Sequence, residues 1–471
     1  MRKEFRIKLK KLFSPKSIAV VGASENFEKL GFHVMRSLIK GGYRGVIYPI
    51  NPHRKTIWGI NCYPSLLHIP ENVDLAVIVV PSKNVPEVLK EGGKRGISGA
   101  VVISSGFKEA NDKEGKALED EMRHICEVFQ IPVIGPNTFG FVNLTDGVNA
   151  SFTYELSLLK KGCVTLISQS GGVCHVVGFM AMEKNVGMAK IVSLGNRLNI
   201  DFPEAVEYFL EMDNSTKVIL LHIEGMENPR RFFEVLEKSK VKKPLIAYKA
   251  GKNEKGDVAS KFHTGSLAGN YRIWKGAFRQ WGIFEVEDLE EFLDTAKVLA
   301  ACGSLEGKRI AVLSGQAGPG IIAADVLERE GLKLASFSPK TQRIIDRILP
   351  PFAIKTNPVD MGPLWYSPKT IFKILKIVSQ DENVDGILFI NVFASANLKL
   401  ASEMIKILNE NEPFQKPVIT CLCAPKGVWD EEIQLINGKK NIAIISTPER
   451  AARAIANLYK VYRLLKILKK K

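Results

Sequence analysis

Ser17-Ile18-Ala19-Val20-Val21-Gly22-Ala23-Ser24 decides the fold. A β-branched run that closes on glycine and small residues reads as a buried strand and a tight turn, and the helical pattern that starts after Leu30-Gly31 supplies the following helix. Such a turn can aim backbone N–H groups at a phosphate. The full G-x-G-x-x-G spacing is absent, so a nicotinamide fingerprint is not supported.

Working outward, Gly45 to Pro52 forms a second strand whose end carries Asn51, followed by Arg54 and Lys55, in place of the acid that would hold a plain ribose. Further strands read at Leu75–Pro81, Gly99–Gly106 and Pro132–Asn137, with helical stretches between them. This alternation predicts a doubly wound parallel sheet with ligands beyond the carboxyl ends of its strands. Those ends carry Gly22, Ala23, Ser24, Asn51, Lys55, Val80, Pro81, Ser104 and Asn137, the candidate cofactor-binding residues.

The pattern recurs. Cys163 to Val173 gives an apolar strand, the turn Ser168-Gln169-Ser170-Gly171-Gly172, and an apolar helix. The turn offers hydroxyls and unpaired amides to an anion without a Walker lysine, which suits a phosphate or phosphohistidine better than a nucleotide. Lys217 to Gly225 ends a strand on Glu224, a residue placed either to hydrogen-bond an imidazole or to cap the next helix. His222 within that strand reads as a packing residue. Lys249 and Lys252 follow the next strand as further cations, with solvated surface lysines the ordinary alternative. Lys308 to Ile321 repeats the strand, turn and helix once more, consistent with internal duplication.

One stretch stands apart. Lys261-Phe262-His263-Thr264-Gly265-Ser266 cannot be the middle of a core helix, because Gly and Ser weaken helix and bury little. An exposed imidazole there is open to a reacting atom.

At 471 residues the chain is long enough for several cores, and the expected ranges are 1–145, 146–303 and 304–471. Its net charge of +16 implies a phosphate-rich small molecule, an acidic partner chain or a thermophile-type surface. Lys and Arg are dispersed without interleaved aromatics, which argues against nucleic acid. Seven cysteines lack zinc-like spacing, so no metal site is expected in this chain and the thiols read as free in a reducing, cytoplasmic compartment. Cys421 and Cys423 would share one face of a strand. No apolar run reaches bilayer length, and the basic amphipathic end at Lys460–Lys471 reads as a solvated terminal helix, with a membrane-surface role the lesser alternative.

Val20-Val21-Gly22-Ala23-Ser24, Tyr48-Pro49-Ile50-Asn51-Pro52, Gly135-Pro136-Asn137, Ile167-Ser168-Gln169-Ser170-Gly171, Ile223-Glu224-Gly225, His263 to Gly269, Gly318-Pro319-Gly320 and Asn357-Pro358-Val359-Asp360 together resemble the α subunit of ADP-forming acetyl-CoA synthetases, relatives of succinyl-CoA synthetase. The resemblance implies a Rossmann-like CoA-binding domain followed by two flavodoxin-like succinyl-CoA synthetase-type domains. It implies the reaction acyl-CoA + ADP + phosphate = acid + CoA + ATP, through an acyl phosphate and a phosphohistidine at His263, with Glu224 beside it. Ser168 to Gly172, Gly265 and Ser266 would hold the phosphate. Coenzyme A is then substrate or product, and Mg²⁺ with ADP or ATP belongs to a separate ATP-grasp β subunit in an α2β2 heterotetramer. The alternative is a non-catalytic acyl-CoA-binding or regulatory paralogue. Ser260-Lys261-Phe262 before the histidine, Gln316-Ala317 and Met361 to Trp365 depart from the family pattern.

Overall fold

The computed structural model describes residues 3–253 and 270–468. The chain divides into two compact units, Met1–Val286 and Glu287–Lys471.

The first unit holds two large sheets. In the first, β1 (Ser17–Val21), β2 (Val46–Ile50), β5 (Leu75–Ile78), β6 (Gly99–Val102) and β7 (Val133–Ile134) run parallel in the order β2-β1-β5-β6-β7. Between β2 and β5, β3 (Thr56–Ile57) and β4 (Ile60–Asn61) make a short antiparallel pair. Side chains alternate between two packed faces: Ile18 and Val20 join one core cluster, Ala19 and Val21 the other. Burial on both faces is why these strands read as unbroken apolar runs.

The second sheet contains β8 (Gly140–Asn143), β9 (Val148–Ser151), β10 (Lys161–Ser168), β11 (Met188–Ser193), β12 (Val218–Ile223), β13 (Leu245–Lys249) and β14 (Ile283–Glu285), in the order β14-β13-β12-β10-β11-β8-β9. β8 runs antiparallel to β11 and forms a hairpin with β9, so the turn at residues 144–147 lies within this sheet. One core cluster continues from Ile18 and Val77 of the first sheet through Phe141 to Ile167 and Leu221 of the second. The helix Lys3–Phe13 seals the two: Leu9, Leu12 and Phe13 are buried, and the Phe13 ring lies 5.4 Å from Phe141 and 4.7 Å from Tyr208.

The second unit is built on β15 (Arg309–Ser314), β16 (Lys333–Leu334), β17 (Val359–Asp360), β18 (Gly386–Val392), β19 (Val418–Cys423) and β20 (Ile442–Ile444), ordered β16-β15-β18-β19-β20 with β17 paired to β15. The helix Leu289–Cys302 belongs to this unit. Its last helix spans Pro448–Leu468, beginning twelve residues before the basic stretch expected to be a solvated end. Ala451, Ile455, Leu458 and Val461 are fully or almost fully buried, so the first turns of that helix are core.

Numbered within each sheet by chain order, the five main parallel strands follow 2-1-3-4-5 in all three sheets. In such sheets the first strand has its neighbours connected in opposite directions, which opens a crevice at its carboxyl end. Those crevices lie beside Gly22, Ser168 and Ser314.

Candidate functional site

At the first crevice the turn after β1 is tightly built. Gly22 has φ +94°, and a Cβ there would lie 2.8 Å from the Val79 carbonyl oxygen. A Cβ on Gly31 would lie 2.0 Å from the Gly22 carbonyl oxygen, so only glycine lets the helix Leu30–Lys40 start against this turn. Asn51 Nδ2 donates to the Ala23 carbonyl at 3.0 Å, and its Oδ1 accepts from His53 N–H. The asparagine therefore ties the ends of β1 and β2 together, while Arg54 and Lys55 beside it are exposed. Ser104 Oγ donates to the Val80 carbonyl at 2.5 Å, and Asn137 N–H donates to the Ser104 carbonyl at 2.9 Å. The sequence-predicted residues Gly22, Ala23, Asn51, Val80, Ser104 and Asn137 thus come together along one rim, with Pro81 and Ser24 in the same loops.

That rim continues into the second sheet. Asn196 N–H donates to the Pro136 carbonyl at 2.8 Å, and its side-chain amide donates to Glu109 at 2.5 Å and to the buried Glu119 at 3.1 Å. Gly195 and Arg197 flank it with φ +58° and +62°. Arg197 is buried, paired with Asp201 and donating to the Gly225 carbonyl at 3.2 Å. From the sequence neither Asn196 nor Arg197 carried a site role; the Gly195-Asn196 pair at a strand end was the available signal for a left-handed turn.

At the second crevice Ser168 Oγ bonds the Ser170 carbonyl at 2.9 Å and accepts from Ser170 N–H at 3.1 Å, closing the turn. Ser170 then caps the helix Gly171–Glu183 through Val173 N–H. Gln169 is 4% exposed. Its Oε1 accepts from the backbone N–H groups of Glu224 at 2.6 Å and Gly225 at 3.0 Å. Its Nε2 is buried and has no partner among the described residues. A buried amide donor without an acceptor costs free energy unless a ligand supplies one, and a phosphate oxygen at a helix N-terminus is such an acceptor. Cys174, buried one turn along the same helix, has its thiol pushed well above the ordinary range by burial.

One neighbour adds to the sequence reading and one differs from it. His222 is buried in its strand as expected, yet its Nδ1 lies 3.0 Å from Ser168 Oγ and its ring stacks on Tyr248. It holds the turn. Lys249, weighed as a solvated cation, is 1% exposed and donates to the carbonyls of Glu224 at 2.7 Å and Ala250 at 2.5 Å. Its position at the end of β13, two residues beyond the buried Ala247 and on the same face of the strand, turns it inward. Lys252 is the more open of the two and pairs with Glu285 at 3.7 Å.

Glu224 is 8% exposed at the carboxyl end of β12, and the next helix, Pro229–Lys238, is capped by Asn228. The capping role weighed for Glu224 is therefore filled by another residue. His263, Gly265 and Ser266 lie outside the described residues. Among the described residues no group of three or more His, Cys, Asp or Glu is placed to hold a metal ion, and no helix is long and apolar enough to cross a membrane.

In the second unit the same turn recurs. Ser314 Oγ bonds the Gln316 carbonyl and accepts from Gln316 N–H at 3.3 Å, and Gln316 Oε1 accepts from Val392 N–H at the end of β18. Asn357 stitches β15 by donating to the Ile310 and Ala335 carbonyls and accepting from Val312 N–H.

Comparison with known proteins fits this geometry. Residues 16–143 match the family described as CoA binding domain, and residues 161–299 match the Succinyl-CoA ligase like flavodoxin domain. The acetate–CoA ligase [ADP-forming] II subunit alpha of Pyrococcus furiosus is 37% identical over 445 residues, covering 94% of this chain and 95% of its own. This chain belongs to the ADP-forming acetate–CoA ligase family. The acetate–CoA ligase [ADP-forming] I of Archaeoglobus fulgidus is 38% identical across 96% of this chain, which spans 63% of that longer relative. Among solved structures of the family, the dinucleotide forming acetyl-coenzyme A synthetase 1 of Ca. Korarchaeum cryptofilum, in complex with phosphate and ADP, superposes with a TM-score of 0.89 at 33% identity, covering 98% of both chains.

Proposed function

We propose that the chain is the α subunit of an ADP-forming acyl-CoA synthetase, catalysing acyl-CoA + ADP + phosphate = carboxylic acid + CoA + ATP with a partner subunit. The carrying observation is Gln169, whose oxygen fixes the Glu224 loop while its buried nitrogen is left to donate at the helix N-terminus. Phosphate held by that amide and by the N-terminal N–H groups of the helix Gly171–Glu183 attacks the thioester carbonyl. The C–S bond breaks, and CoA leaves as a thiolate that takes up a proton. His263 then attacks phosphorus of the acyl phosphate, releasing the carboxylate, and the phosphohistidine delivers its phosphoryl group to ADP. Glu224 orients and balances the charge of that imidazole. The tight glycine turn at Gly22 and Gly31 gives the CoA pyrophosphate close approach to backbone, with Arg54 and Lys55 at hand for its ribose phosphate. Mg²⁺ and ADP are held by an ATP-grasp β subunit in an α2β2 assembly.

The test mixes the chain with a cognate ATP-grasp subunit, acetyl-CoA, Mg²⁺ and labelled phosphate. Acid-labile label is expected on the wild type and none on His263→Ala. Label persisting on that variant rejects the assignment.

A further inference from the structure

A polar cleft of about 380 Å³ opens at the amino end of β10, where Lys161 starts the strand. The turn between β8 and β9 and the connection from the helix Leu30–Lys40 to β2, which carries Arg44, complete its lining. Seven strand steps of about 3.3 Å separate Lys161 from Ser168, so the cleft lies roughly 23 Å from the second crevice. The phosphoryl chemistry does not reach it.

The walls are held in place by their own bonds. Asn143 and Asn149 are buried. Asn143 Nδ2 donates to the Phe13 carbonyl and to Asp146 Oδ2, each at 2.9 Å, and Ser14 Oγ donates to the same carboxylate oxygen at 2.5 Å. Asn149 Nδ2 donates to the Thr153 carbonyl at 3.0 Å and to Ser157 Oγ at 2.8 Å. Gly147 and Gly42, at φ +70° and +84°, bring two backbones together: a Cβ on Gly147 would lie 3.4 Å from the Gly42 carbonyl oxygen.

What these bonds leave over points to a ligand. Arg36, Arg123, Arg197 and Arg231 of the same unit each pair with a carboxylate. Arg44 and Lys161 are exposed and make no hydrogen bond or ion pair among the described residues, yet both line this one cleft. Ser157 Oγ accepts from Asn149, so its O–H is left to donate. The Thr145 hydroxyl and Asp146 Oδ1 likewise have no partner among the described residues.

We propose that this cleft binds a phosphorylated polyol. The phosphoryl group takes charge-assisted hydrogen bonds from the Arg44 guanidinium and the Lys161 ammonium, while Asp146 Oδ1 and Thr145 take hydroxyls of the carbon chain. The Asp146 carboxylate repels a bare anion and accepts from a hydroxyl, which selects the polyol over inorganic phosphate. Among the described residues the lining holds no aromatic ring, so a nucleobase has no stacking surface there.

Sorbitol 6-phosphate is the probe, titrated calorimetrically into the full-length chain with CoA saturating. One saturable site is expected, with a Kd at least tenfold below that for inorganic phosphate. Arg44→Gln and Lys161→Gln, both at exposed positions, should each weaken binding at least tenfold with the melting temperature unchanged. Asp146→Asn should bring the affinities for sorbitol 6-phosphate and inorganic phosphate closer together. Gln169→Ala, at the distant crevice, should leave the affinity for sorbitol 6-phosphate as it is. Absence of saturable binding, equal affinity for inorganic phosphate, or affinity unchanged in the Arg44 and Lys161 variants overturns the proposal.

Discussion

The side-chain oxygen of Gln169 accepts a 2.6 Å hydrogen bond from the backbone N–H of Glu224, fifty-five residues downstream, across the crevice between β10 and β12. The Ser168–Gly172 turn and the Glu224 loop are thereby one piece. Replacing Gln169 by Ala leaves two buried N–H groups without partners, a loss of about 1–3 kcal/mol for each unsatisfied group. Expected is a fall in kcat of at least tenfold with the KM for CoA little changed, measured with the partner subunit. Gln169→Glu keeps the acceptor but places a carboxylate against the anion, so its KM for phosphate should rise more than that of the alanine variant.

The contact of Gly31 with the Gly22 carbonyl predicts a different phenotype. A methyl at Gly31 must displace backbone, because its Cβ would sit 2.0 Å from that oxygen. Gly31→Ala should cost about 1–3 kcal/mol of stability and raise the KM for CoA, with kcat less affected. Thermal melting and steady-state kinetics read the two effects separately.

Asn196 couples the two rims. Asn196→Ala removes its donors to Glu109 and the buried Glu119, and should destabilise the first unit by about 1–3 kcal/mol. Asn196→Asp sets a third carboxylate beside those two and should be worse than alanine. Urea denaturation of the set gives the ranking; an aspartate variant as stable as the wild type would remove Asn196 from this role.

Acid stability has a local source at Asp213. Burial would raise its carboxyl pKa, but hydrogen bonds from Thr216 and Ser215 and the ammonium of the buried Lys190 at 3.1 Å hold it below the ordinary value. A depressed folded pKa stabilises above the unfolded value of about 4 and is lost as pH falls through the folded one. Asp213→Asn should therefore lower the urea midpoint at pH 7 and converge on the wild type as pH drops below about 4.

Much of this was legible in the residues. Apolar runs ending in small residues gave the strands, because strands buried on both faces cannot hide polar side chains. The β8–β9 hairpin was missed, since alternation of strand and helix was assumed to continue; Asp146-Gly147, with Gly147 at φ +70°, was the hairpin signal. That Ser168 to Gly172 make a tight, capped turn at a helix N-terminus could be read from their residue types. The double use of the Gln169 amide could not, because its partners arrive from another strand. Lys249 was misjudged for the same reason: strand register, not residue type, turns it inward to carbonyl oxygens.

The bonds from Asn51 to Ala23, Ser104 to Val80, Asn137 to Ser104 and Asn196 to Pro136, with those from Glu224 to Gln169 and from Lys249 to Glu224, make the lip of this unit mechanically stiff. Loops that share partners this way cannot breathe independently. Deuterium uptake at Ala23, Ser104, Asn196 and Glu224 should slow in concert when CoA alone is added, including at amides the thioester never reaches.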